Sequence, residues 1–121
     1  MLAIDTTNAV AALRARVRGE VSDSALRRAQ YSTDASNYRV PPAVVVYPLD
    51  ADDLVTTLDV AREWGIPLTL RGGGTSVAGN SVGEGIVVDT SVHMNRVLEI
   101  DPVARTARVQ PGTVMSTLQA E

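Results

Sequence analysis

The sequence predicts an α+β fold: a small mixed sheet built around a βαβ unit, with helices flanking it. Three observations carry that prediction. Residues 43–47 (Ala-Val-Val-Val-Tyr) form a continuous apolar run of strand length, the pattern of a strand covered on both faces. An amphipathic stretch and a second short apolar segment, residues 68–70, complete a βαβ unit within about 30 residues. Beyond them the pattern changes to two short segments, 97–100 and 106–110, which read as a hairpin rather than another crossover.

Taken in order, residues 1–37 read as a helical lead. A helix is expected near 8–18, with Asp5, Thr6, Thr7 and Asn8 as N-cap candidates. Gly19 breaks it, and a second helix near 23–31 follows, capped by Ser22 or Asp23. Residues 32–37 are a polar loop, and Asp34 is expected to form an ion pair with Arg39. Pro41 and Pro42 force an extended path into the first strand, because proline fixes its own φ and biases its predecessor away from the helical region. Pro48 ends that strand. Asp50 is placed to cap the next helix, with Asp53 three residues on as an acidic capping box that also suits the helix dipole. This helix start accounts for the carboxylates of Asp50, Asp52 and Asp53. Leu54, Val55, Leu58 and Ala61 fall at helical spacing and are expected to face the sheet. Gly65 is the C′ residue, with Pro67 beyond it. Residues 86–89 are a further strand, and the hairpin turns near Asp101 and Pro102. In a last helix Thr113 is the expected N-cap, with Val114 and Leu118 on one face. That helix has no C-cap signal, so the chain is expected to be a fragment or a truncated product of something longer.

Composition bounds the function. The 121 residues suffice for one small domain or part of a larger one, and they include 45% apolar and 3% aromatic residues. Eleven basic against fourteen acidic side chains give a net charge of −3, which argues against a nucleic-acid surface. With no cysteine there is no disulfide framework, thiolate metal site or iron–sulfur cluster within this stretch. A single histidine, His93, excludes a His-rich metal site and reads as a surface or loop residue. The longest apolar run is about five residues, too short to span a bilayer. The first residues lack the basic and apolar regions of a signal peptide, so the expected location is cytoplasmic, or peripheral at the inner membrane.

The chemical signal is the run from Arg71 to Asn80. Gly72, Gly73 and Gly74 follow a strand, which lets the backbone take positive φ and approach a ligand without Cβ clashes. Successive N–H groups in such a turn form an anion-binding concavity; Thr75 and Ser76 add hydroxyl donors, and Arg71 is a candidate charge. A phosphate or pyrophosphate is the indicated ligand. Two known motifs fail here. Gly74 and Gly79 have P-loop spacing, but Asn80 stands where a lysine is needed; Val77 replaces the third glycine of the dinucleotide fingerprint. The bland alternative is a passive turn. Glycines weaken the element they occupy by up to ~1 kcal/mol each relative to alanine, which weighs against it.

Together the pieces resemble a known family. Residues 44–48, the helix ending in Ala61, Arg62, Glu63, Trp64 and Gly65, and residues 67–76 match in order and spacing. So do residues 85–91, Met94 with Asn95, and Val109, Gln110, Pro111 and Gly112. The stretch from Pro42 to Gly112 is similar to the first half of the FAD-binding domain of the vanillyl-alcohol oxidase/p-cresol methylhydroxylase (PCMH-type) flavoproteins. Within these it most resembles the D-lactate, glycolate and D-2-hydroxyglutarate dehydrogenases. Residues 31–39 look like the large bacterial members that carry a C-terminal iron–sulfur domain.

The resemblance implies that residues 38–121 are the first half of that domain and that the cofactor is FAD. Its pyrophosphate would lie against the N–H groups of residues 72–76, with Gly79 and Asn80 nearby and Pro111 and Gly112 as a further wall. Members with covalent flavin have a histidine in the glycine loop; here Gly74, Thr75 and Ser76 stand instead, so the FAD should be non-covalent. The implied activity is oxidation of a small D-2-hydroxy acid to the 2-oxo acid, with the substrate-binding and proton-accepting groups outside this chain. Any iron–sulfur cluster would belong to a C-terminal region, and the electron acceptor is unassigned. Asp89 is a candidate acceptor for the cofactor or a cap for the turn after its strand; Met94 and Asn95 fit turn and core roles equally. Trp64 reads as packing. The rival functions are a non-catalytic nucleotide- or phosphate-binding module and a non-functional truncation product.

Overall fold

A computed structural model describes residues 5–121. Its elements are α1 (Thr7–Arg16), β1 (Glu20–Ser22), α2 (Ala25–Gln30), β2 (Val44–Tyr47), α3 (Ala51–Glu63), β3 (Leu68–Arg71), β4 (Ile86–Asp89), β5 (Val97–Asp101), β6 (Thr106–Val109) and α4 (Met115–Ala120). The expected α+β class, a mixed sheet plus a hairpin, is the one observed. The sheet order is β1-β2-β4-β3, with β1 antiparallel to β2 and the other neighbours parallel; β5 and β6 pair separately. The expected βαβ unit is β2–α3–β3. Its two strands are not neighbours, because β4 lies between them.

Every residue of β2 and β4 is buried, as the unbroken apolar run in β2 anticipates. On one face Val44, Val46, Ile86 and Val88 pack with Ala9, Val10 and Leu13 of α1 and Val60 and Ala61 of α3. Each fully buried valine contributes about 1.5–3 kcal/mol through removal of apolar surface from water. On the other face Tyr47 meets Tyr31 edge to face, with ring centroids 5.8 Å apart.

Several local expectations change. Residues 20–22 form a strand where only helix and break were expected; Val21 pairs with Val46. The cap of α2 is Ser24, not Ser22 or Asp23: its hydroxyl accepts from Arg27 N at 3.3 Å. The inward face of α3 also differs. Leu54 and Ala61 pack on the core, but Val55 and Leu58 are 56% and 47% exposed, while Asp53 and Thr57 are buried. The reason is hydrogen bonding. Asp53 accepts from the N–H groups of Arg18, Gly19 and Leu49, each at 3.0 Å, and Thr57 Oγ1 donates to Asp53 O at 2.7 Å. A polar pair whose bonding capacity is met can outrank exposed aliphatics for the inner face.

The Asp50 cap and the Gly65 C-terminus of α3 match expectation, but the returning half of the capping box does not form, because Asp53 takes the N–H of Leu49 and not that of Asp50. Asp50 Oδ1 accepts from Asp53 N at 3.1 Å. At the C-terminus Ile66 N reaches Ala61 O and Gly65 N reaches Arg62 O, with Gly65 at φ +62°, a Schellman cap. The last helix begins after Val114 with no side-chain cap; Thr113 Oγ1 donates instead to Arg96 O at 3.3 Å. Among the described residues no helix is long and apolar enough to cross a membrane.

Candidate functional site

Strands β3 and β4 run parallel, so their carboxyl ends lie side by side, and the glycine loop leaves from the first of them. Ligands of open α/β sheets bind at such carboxyl ends. The two are tied where they finish: Thr90 N donates to Arg71 O at 3.0 Å, and Thr90 Oγ1 to the same oxygen at 3.3 Å.

Among the described residues no backbone N–H from Gly72 to Val77 has a hydrogen-bond partner. These residues are exposed or half-buried, so the donors face open space, and a consecutive run of them at a strand end suits an anion. Of the three adjacent glycines only Gly74 takes positive φ, at +67°, a second being Gly79 at +78°. The freedom that three glycines offer is thus used for positive φ at one of them. The chain itself does not demand glycine at 72 or 73: a Cβ on Gly72 would meet nothing within 4 Å, and one on Gly73 only Thr75 Cγ2 at 3.6 Å. The space beside them is open to a ligand. Ser76 Oγ accepts from Ala78 N at 3.3 Å and Asn80 N at 3.1 Å, which leaves its O–H proton to donate outward.

Arg71 stays close to the chain. Its guanidinium lies 4.9 Å from the Tyr31 ring centroid, Nη1 donates to Ser81 O at 3.4 Å, and a Cβ on Gly74 would fall 2.5 Å from Nη2. Tyr31 OH donates to Asp89 Oδ2 at 2.5 Å; burial, then this bond, pushes the phenol pKa up. The other oxygen of Asp89 accepts from Ser91 N at 2.8 Å and Ser91 Oγ at 2.6 Å, the turn-capping role considered for it. Asn95 Nδ2 closes the same turn on Ser91 O at 2.9 Å, Met94 is buried, and His93 is exposed. Gly112 is buried against that turn. Its N–H donates to Met94 O at 2.8 Å, and a Cβ there would fall 2.2 Å from Thr90 O, whereas Pro111 is exposed.

The segment before β2 reaches the loop, which sequence reasoning did not see. Asp34 Oδ2 accepts from Ser81 Oγ at 3.0 Å, while Oδ1 accepts from Ser36 N at 2.8 Å. The bonds from Ser36, with help from Ser81, hold this carboxyl below the usual range despite desolvation. The expected Asp34–Arg39 ion pair is absent among the described residues. The Tyr38 ring stands where a Cβ on Gly79 would project, 2.7 Å from it. The only sequence signal for these contacts is an aspartate in a polar loop flanked by two tyrosines.

A mixed α+β sheet whose parallel strands β3 and β4 end at an open glycine loop has the form of an anion-binding site. The chain belongs to the FAD binding domain family, whose sequence profile matches residues 42–121. It is 45% identical over 106 residues to a D-2-hydroxyglutarate dehydrogenase of Pseudomonas putida, a match covering 85% of this chain and 10% of the relative. It is 38% identical over 94 residues to the glycolate oxidase subunit GlcD of Bacillus subtilis, covering 76% and 20%. The chain therefore spans about a tenth to a fifth of the length of these relatives. In structure it resembles p-cresol methylhydroxylase, with a TM-score of 0.74 at 19% identity over 93% of this chain and 23% of that one. The last likeness shows the PCMH-type fold alone, and the family match assigns residues 42–121 to an FAD binding domain.

Proposed function

We propose that this chain cradles the pyrophosphate of FAD in an oxidoreductase that converts a D-2-hydroxy acid to the 2-oxo acid. The substrate would be of the lactate, glycolate or 2-hydroxyglutarate class. The observation that carries the reading is the run of N–H groups from Gly72 to Val77 without partners among the described residues, beside two glycines whose missing side chains leave room. Gly72, Gly73, Gly74, Thr75 and Ser76 would donate to the pyrophosphate, with Gly79 and Asn80 at the loop's far end. Pro111 and Gly112 would support the site from across the β4 turn. Residues 38–121 would form the first half of the FAD-binding domain and residues 1–37 its lead.

Bound FAD supplies the two-electron acceptor for such an oxidation. The chain's own residues bind and orient it: the loop donors meet its negative charge, and the Ser76 hydroxyl proton is left free to join them. No histidine or cysteine lies in residues 71–80, so the linkage from this part is non-covalent. The names of the relatives, a hydroxyglutarate dehydrogenase and a glycolate oxidase subunit, support the substrate class.

Gly73→Asp tests the reading. The added Cβ fits the chain, so the fold should survive, while a carboxylate beside the pyrophosphate should abolish FAD binding. Titration of the apo-protein with FAD, followed by flavin fluorescence, measures it. A folded variant with wild-type Kd would overturn the reading.

A further inference from the structure

The glycine loop is anchored at its two ends, and both anchors come from one segment before β2. At the start Arg71 lies against the Tyr31 ring, which is itself fixed by its hydrogen bond to Asp89. At the far end Ser81, buried at 7% exposure, donates to Asp34, and Tyr38 packs on Gly79. The segment is closed on itself: Thr33 bridges to Arg39, Val40 N donates to Ser32 O at 2.8 Å, and buried Ser32 donates to Ala29 O at 2.6 Å. A rigid piece thus grips residues 71 and 79–81, and between them the N–H groups of Gly72 to Val77 make no hydrogen bond among the described residues. The span is held at these ends and, within it, by the Arg71 guanidinium beside Gly74 and the bonds that Ser76 Oγ accepts from Ala78 N and Asn80 N.

We propose that the segment from Tyr31 to Tyr38 is a positioning clamp that preorganises the glycine loop for FAD. Tyr31, Asp34 and Tyr38 act through Arg71, Ser81 and Gly79 rather than by touching the cofactor. The proposal rests on the flavin reading above. Its consequence is kinetic. When a loop is binding-competent for only a fraction of the time, apparent affinity falls by that fraction. A fast loop equilibrium lowers kon in proportion and leaves koff unchanged, whereas loss of a direct contact raises koff.

The test is stopped-flow binding of FAD to the apo forms of the wild-type protein, Ser81→Ala, Asp34→Ala and the double variant, with Gly73→Asp alongside. Thermal melting of each apo form establishes folding. Ser81→Ala should lower kon about tenfold with koff within about twofold of wild type, the effect of dropping the competent fraction to roughly a tenth. The double variant should be no worse than the poorer single one, since both cut one hydrogen bond. Because Asp34 also holds Ser36 N, Ser81→Ala decides alone if the Asp34 variants fail to fold. Unchanged kon in folded Ser81→Ala, or a loss carried by koff, overturns the clamp while Gly73→Asp still fails to bind. Wild-type binding by folded Gly73→Asp overturns the flavin reading and the clamp with it.

Discussion

Two regions of this chain present backbone N–H groups that no helix or sheet satisfies, and they deal with them in opposite ways. Between α1 and β1 the N–H groups of Arg18 and Gly19, joined by that of Leu49, converge on the buried carboxylate of Asp53. In the glycine loop the N–H groups from Gly72 to Val77 converge on no group among the described residues. The first region is a structural joint that brings its own anion, locking the turn after α1 to the start of α3. The second has the same kind of donors and open space in place of a carboxylate. Under the proposed function, the difference separates donors spent on folding from donors kept for a ligand.

The joint should be the costlier one to break in terms of stability. Asp53→Ala strands three donors and removes a buried charge that Arg18 also faces, Nε lying 3.6 Å from Oδ1. A loss of about 3 kcal/mol in denaturant unfolding is expected, the scale of a broken buried hydrogen-bond network. Gly72→Ala, in the open loop, should cost less than about 1 kcal/mol by the same measurement. Equal losses at the two places would break the comparison.

Acid should reveal the same contrast. Burial pushes the Asp53 carboxyl up, but the bonds from Leu49, Arg18 and Gly19 and the Arg18 charge outweigh it and leave the group below its ordinary range. Its folded pKa is therefore lower than its unfolded one, so its contribution is complete above about pH 4 and is lost as pH falls through the folded value. Unfolding free energy measured from pH 6 to pH 2 should decline below about pH 4 in the wild type and more shallowly in Asp53→Asn. An identical slope in both would show that the joint does not titrate as described.

The smallest effects concern the helix that carries Asp53. Because Asp53 and Thr57 face inward with Val60, Val60→Ala should cost about 2 kcal/mol, as a buried truncation does. Val55→Ala, at an exposed position, should stay within about 0.5 kcal/mol of wild type. Reversed values would restore the aliphatic face that hydrophobic spacing suggests.

That reversal marks where sequence reading stops. Asp50 as a cap, Gly65 at positive φ and the buried run in β2 are written in neighbouring residues, and all are found as expected. The strand at Glu20–Ser22 is three residues long and exists by pairing with β2, and β4 enters the sheet between β2 and β3 through contacts no local window holds. Asp53 looks like a helix-start carboxylate until the N–H groups of Arg18 and Gly19 arrive from 35 and 34 residues away. At the site the glycine run is legible because only glycine leaves such a backbone bare. The ties from Asp34 to Ser81 and from Tyr31 to Asp89 span 47 and 58 residues, and polar composition alone does not pair them.

Selective labelling of glycine with nitrogen-15 tests the central claim most directly, because the nine glycines include members of both regions. Gly72, Gly73 and Gly74 belong to the open loop, and Gly19 donates to Asp53. On titration of the apo-protein with FAD, the amide resonances of the three loop glycines should shift while that of Gly19 stays in place. Saturation with FAD that leaves the loop resonances unmoved, or moves Gly19 as much as they move, would contradict the account.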